Sequence, residues 1–321
     1  RRVLFRSGYV QAIKGAWLLM NVLYPLLDAA KEDDFKVTLQ GLGISSLDAL
    51  IEDVKKAFTS QGDKSLFEDL HIKVAMIGLA QSLHRGEDVL EEMADIKGEY
   101  GYLTATDRQL IIDALKKTRA EFNALRSLLV QGKKFGEAEL KKMSLVQSYA
   151  EAITLYISLK KKEYVSGARN YVMKESVKAQ PQAFAILFGH DKAIPKAMLK
   201  ALIKGDNAEF LRLLSVLKWA DFLLRGYDLA YSKPGQDKLI GMGMGKGTAR
   251  YTREYNRLST AFRRAIADGH VSQDEIQQSE GRLALARAYF EILSTRLKIA
   301  EIRSFALNST YHEKMREKLG G

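Results

Sequence analysis

The stretch IADGHVSQDEI, residues 266–276, holds the residue types and spacing that come nearest to chemistry. Asp268, Gly269, Ser272 and Glu275 follow one another as in the second half of a calcium-binding loop, where oxygen ligands recur along a tight turn and a bidentate Glu closes the set. Placing Glu275 in the closing position puts Arg264 and Ile266 where the first and third ligands belong. Only Asp268 and Glu275 then remain as carboxylates, beside an arginine that repels a cation. A simpler account covers the same residues. Gly269 takes the left-handed conformation just past a helix end, Ser272 caps the next helix, and Glu275 completes a capping box. A turn between two helices is expected here.

The stretch also resembles short parts of tellurite-resistance-type helical domains and of the helical hairpins of outer-membrane efflux channels. Each likeness covers little more than one turn, and the efflux likeness implies barrel strands that this sequence lacks. GMGMGKGT, residues 241–248, suggests a phosphate loop, but Gly247 stands where a P-loop needs Ser or Thr and Ile240 where it needs Gly. It is expected to be a connector. Glu68 and His71 have the Glu-x-x-His spacing of di-iron bundles, yet no other His has a Glu three residues before it. Glu91–Glu92 and Glu32–Asp33–Asp34 are expected to be solvated faces. No residue is assigned to catalysis, to a cofactor or to a metal.

The basic stretch after residue 130 has more content. Lys133, Lys134, Lys141 and Lys142 flank a Gly-containing turn, and Lys160, Lys161, Lys162 and Arg169 lie further along. Tyr149, Tyr156, Tyr164 and Tyr171 are interleaved, seven apart in pairs. Lysines can neutralise phosphates and aromatic rings can stack bases, so these eight residues are candidates for polyanion binding. The competing account is a tyrosine-edged core stripe with solvated lysines opposite it.

These residues need elements to hold them. The chain has 321 residues, 46% of them hydrophobic, with 4 Pro and no Cys. The apolar content suffices for a sizeable core, and the absence of Cys excludes disulfides, thiolate metal sites and thiol nucleophiles. Residues 1–7, RRVLFRS, match an in-frame translation of a common sequencing adapter and are expected to carry no fold information. The charge is split: residues 8–100 hold nine basic against sixteen acidic side chains, and 101–321 hold 38 against 23. Such asymmetry suggests two units or two mutually attracting faces. The longest apolar run, Ala16–Leu27, is interrupted by Asn21 and Pro25 and is too short to cross a bilayer. It is expected to form a buried first helix over about 9–31.

Apolar periodicity and capping signals predict helices over 46–59, 65–84, 87–97, 106–131, 137–178, 195–204, 206–231, 249–267 and 273–306. Only 36–44, KVTLQGLGI, is strand-like. Ser45 with Asp48, Ser65 with Glu68, Thr106 with Gln109 and Asp206 with Glu209 are expected to cap helices. The last helix also carries heptads, with Ile276, Leu283, Phe290 and Leu297 on one seam and Ser279, Ala286, Leu293 and Ala300 on the other.

The expected fold is all-α: elongated helical hairpins packed as a bundle, with one hairpin design used twice. Its regions are an acidic helical part (8–100), a long basic hairpin (101–180), a short-helix connector (181–240) and a C-terminal hairpin (241–321). The expected function is a non-catalytic interaction or scaffold module that binds a protein partner, or a second copy, through hairpin faces. The alternatives are nucleic-acid binding through the basic 133–169 face and an envelope or periplasmic hairpin protein. Compartment stays open, with the cytoplasm favoured.

Overall fold

The computed structural model describes residues 34–59, 64–92, 103–165, 175–188, 193–233, 237 and 247–267. Among them every regular element is an α-helix. There are ten: α1 (Phe35–Gly41), α2 (Leu47–Thr59), α3 (Lys64–Glu92), α4 (Ala105–Val130), α5 (Glu137–Val165), α6 (Glu175–Ala179), α7 (Pro181–Phe188), α8 (Ala193–Lys204), α9 (Asn207–Tyr231) and α10 (Gly247–Ala267). The protein is all-α, as the helical periodicity predicts. Its described residues fall into two compact units, one of those up to Tyr164 together with Met198–Asn207, the other of those in 165–197 and from 208 onward.

In the first unit the strand-like stretch is a helix. Thr38 N–H donates to Asp34 at 2.9 Å, and the chain leaves α1 through a Schellman turn. In that turn Gly43 N–H reaches Gln40 and Ile44 N–H reaches Leu39, with Gly43 at φ 74. The buried side chains of Leu39 and Ile44 meet the hydrophobic requirement of this motif. The glycines that weaken a strand here terminate a helix.

The break expected at RGED is also absent, for α3 runs through it. Gly86 sits where a Cβ would lie 2.7 Å from Leu115, so a residue without a side chain lets α3 approach α4. Two capping assignments move by a residue or two. Ser46, not Ser45, caps α2 by accepting from Ala49 N–H at 3.1 Å. Thr104 with Asp107, not Thr106 with Gln109, forms the capping box of α4. Thr106 sits inside the first turn of α4, where a polar residue has the spacing of a cap, and at α2 two adjacent serines offer the same choice one residue apart.

α4 and α5 form the expected hairpin. Gly132, at φ 67, ends α4 in a second Schellman turn, and Glu139 accepts from Gly136 N–H at 2.8 Å to open α5. Ile111, Ala114, Leu115, Thr118, Phe122 and Leu125 make the buried stripe of α4. The arm expected to reach residue 178 is described as far as Val165, about 43 Å of helix. Residues 166–174 lie outside the described residues, and 175–179 form the separate α6.

The second unit contains a helix that the periodicity does not predict. α7 opens with Pro181, whose missing N–H costs nothing at a first helical position. α8 begins at Ala193 rather than 195, with Pro195 still inside the first turn, where N–H groups have no helical partner. Trp219 of α9 packs edge-on against Phe262 of α10, ring centroids 5.1 Å apart. Gln180, 2% exposed, donates to Ser259 at 2.6 Å and to Tyr255 at 3.3 Å. Tyr255 in turn donates to the Leu223 carbonyl at 2.5 Å. These bonds fix the rotation of α10. The expected first helix, the 241–246 connector, the 268–276 turn and the heptad arm lie outside the described residues.

Candidate interaction surfaces

The eight basic residues singled out in sequence do not act alike. Lys133 and Lys134 are exposed at the α4–α5 turn. Lys141 and Lys142 share a depression of about 360 Å³ with Lys117, Glu121, Tyr149 and Asn207. Both are paired with carboxylates. Lys141 pairs with Glu137 at 2.7 Å, and Lys142 and Lys117 both reach Glu121, at 2.7 and 2.9 Å. The hydrogen bonds from these two lysines hold the Glu121 carboxyl below its ordinary range and Lys117 above its own. Tyr149 donates to Asn207 at 2.5 Å, and burial raises its hydroxyl pKa.

Lys160 points inward. Its side chain is 11% exposed, with Nζ 3.4 Å from Asp107 and 5.7 Å from the centre of the Tyr156 ring. It is therefore not part of an accessible polyanion face. The Asp107 carboxylate also accepts from the Tyr156 hydroxyl at 2.5 Å and from the Thr104 hydroxyl at 2.7 Å. Burial pushes the Asp107 pKa up, but these two bonds and the Lys160 charge together outweigh it and hold the pKa at about 2. Tyr149 and Tyr156 are both buried, so along this part of α5 the tyrosines edge a core. Lys161 and Lys162 continue α5. Arg169 and Tyr171 lie outside the described residues.

A different surface of the first unit has the shape of a receptor. A groove of about 470 Å³ opens between α1, α3 and α4. Leu42, Leu83 and Phe122 form its buried floor, and Val37, 65% exposed, stands on its rim. Its polar groups are tied to one another. Arg119 pairs with Glu87, His84 Nε2 lies 3.1 Å from Asp34, and Arg126 donates to the Gly41 carbonyl at 2.6 Å. The last of these places a cation at the C-terminus of α1, where the helix dipole favours one. A second depression of about 350 Å³ shares Asn123 and Arg126 and continues to Val130, 54% exposed. The trough follows α4 from Arg119 to Gln131, about 18 Å. Residues 119, 122, 123, 126 and 130 follow helical spacing, a signal readable in sequence once α4 is assigned.

The second unit presents a third surface. Arg253, Asn256, Arg257, Thr260, Ala261 and Arg264 border a shallow depression of about 360 Å³ on α10. The three arginines are all exposed. Their i, i+4, i+11 spacing is legible in sequence, though the lysine run is the more conspicuous basic signal. Among the described residues no group of three or more His, Asp or Glu is placed to hold a metal, and no helix is long and apolar enough to cross a membrane. Comparisons with family models, curated proteins and solved structures return no match.

Proposed function

We propose that this protein is a non-catalytic helical interaction module whose first unit receives an amphipathic helix of a protein partner. The observation that supports this reading is the trough along α4: an apolar floor, the exposed Val37 on its rim and Val130 at its end, and polar rim groups paired with one another. A helix laid in such a groove buries apolar residues at i, i+3, i+4 and i+7 and leaves its polar face in water. The rim then sets direction and partner choice, while the floor supplies most of the affinity. The lysine face supports nucleic-acid binding less well, because Lys141 and Lys142 are each paired with a carboxylate and Lys160 is internal.

Photo-crosslinking residues at Val37 and Val130, with a control at the exposed Glu137 of α5, test this in extracts of the source cells. The expected result is one shared protein adduct at the two groove positions and none at the control. Identical adducts at all three positions would overturn the proposal. Introducing Val37→Glu or Val130→Glu, with the crosslinker at the other valine, should lower the yield about tenfold if each valine contributes a typical anchor of 1–2 kcal/mol.

A further inference from the structure

We infer that the exposed face of α10 is a docking site for a nucleic-acid duplex, with Arg253, Arg257 and Arg264 holding backbone phosphates. This goes beyond the groove proposal and rests on the other unit. The helix carries five arginines against one acidic residue, Glu254. At 100° per residue, Arg253, Arg257 and Arg264 fall within about 40° of one another, along about 16 Å of helix. None of the six residues bordering the depression is acidic. A guanidinium offers a planar fork of donors that matches phosphate oxygens, and unlike an ammonium it does so in pairs of bonds.

The opposite side of α10 makes this face a fixed one. Tyr255, Leu258 and Phe262 are buried, each no more than 1% exposed. The Tyr255 hydroxyl is bonded to Leu223, and Thr252 donates to the Ala230 carbonyl at 3.2 Å. Arg263, also exposed, is turned to a structural task, reaching the Ala179 carbonyl at the end of α6 at 3.2 Å. The arginine row is therefore presented on a rigid support.

The occupant follows from what accompanies the arginines. Asn256 and Thr260 lie between them and can hydrogen-bond phosphate or base edges. None of the six bordering residues is aromatic, and the adjacent Tyr231 is held against the Tyr227 and Tyr255 rings with its hydroxyl donated to Asn256. Among the described residues no ring here stands free for unpaired bases to stack on, which favours a duplex over a single strand. Nor do the described residues of α10 offer an apolar face to enter lipid, since Tyr255, Leu258 and Phe262 are consumed by the core.

The test is fluorescence anisotropy of the full chain with a labelled duplex of about 20 base pairs, two helical turns. Three phosphate contacts predict affinity about 40-fold weaker at about 200 mM salt than at about 50 mM. Charge reversal of Arg253, Arg257 and Arg264 together should weaken binding at least tenfold, and their milder replacement by Gln should weaken it in the same order. Reversal of Lys133 and Lys134 should leave it unchanged. Circular dichroism confirms that each variant is folded. No binding at the lower salt, salt-independent binding, or wild-type affinity in the Gln variant would each overturn the inference. So would equal loss in the lysine variant, or tighter binding to poly-glutamate or to phosphatidylserine-containing vesicles than to the duplex.

Discussion

Asp107 and Lys160 illustrate what a single residue type conceals. In sequence Lys160 heads a run of three lysines, and its neighbours in the chain invite a solvated reading. Packing sends it to a carboxylate that is 1% exposed. The folded Asp107 pKa, about 2, is below the ordinary value of 3.8. The folded state therefore binds fewer protons than the unfolded state between those values, and stability falls as pH drops through them. The contribution is fully present above about pH 5 and lost towards about pH 2, on the order of 1–2 kcal/mol after allowance for solvent screening. Asp107→Asn should cost about 3 kcal/mol at neutral pH, because it leaves the Lys160 charge poorly matched. It should also flatten the acid limb. Urea denaturation at pH 7, 5 and 2.5 measures both effects, and an acid limb as steep in the variant as in the wild type would remove Asp107 as its cause. The candidate site was thus only partly legible. The lysines and tyrosines could be counted, and the Lys141–Glu137 pair follows from i, i+4 spacing, but the partners of Lys142 and Lys160 are Glu121 and Asp107 on another helix, which spacing along one helix cannot reveal.

At the scale of the element, glycine decides between a break and a contact. Gly78 and Gly86 share α3, yet a Cβ at Gly78 would meet nothing within 4 Å while one at Gly86 would meet Leu115 at 2.7 Å. Gly78→Ala should therefore stabilise the protein by up to about 1 kcal/mol, since alanine gains helix propensity at no steric cost. Gly86→Val should destabilise it by about 1–3 kcal/mol through overpacking against a buried leucine. Thermal melting of the two variants gives opposite shifts; shifts of the same sign would show that the α3–α4 approach does not set the need for glycine. The same distinction explains which elements were legible. The long helices α4, α5, α9 and α10 declare themselves through uninterrupted periodicity. α1 and α7 do not, because a helix of seven or eight residues spans barely two turns and its terminating Gly or initiating Pro dominates the pattern. The break read at Gly86 failed for a tertiary reason, as the partner that demands the small residue lies on another helix.

On the scale of the whole molecule, the division of charge near residue 100 is not the division of the fold. The first unit takes α1–α3 from the acidic part of the chain and α4–α5 from the basic part, and joins them through Glu87 with Arg119. Of the two meanings of that asymmetry, separate units or attracting faces, the second describes this contact. The chain also returns to the first unit after entering the second. Residues 198–207 belong with the first, and Met198, Leu199 and Leu202 are fully buried. Asn207 receives the Tyr149 hydroxyl. A third Schellman turn, with Gly205 at φ 76, ends α8 before α9 begins. A chain cut after Tyr164 therefore retains every long helix of the first unit but loses the segment that completes it. Removing one buried leucine side chain typically costs about 2–5 kcal/mol, so losing the segment should exceed that cost. The truncated chain should unfold at a lower urea concentration than the corresponding transition of the full chain. A synthetic peptide of residues 193–207 should restore part of the loss in a concentration-dependent way, as binding to the folded state alone requires. A truncated chain as stable as the parent, and indifferent to the peptide, would show that the returning segment is carried by the first unit without supporting it.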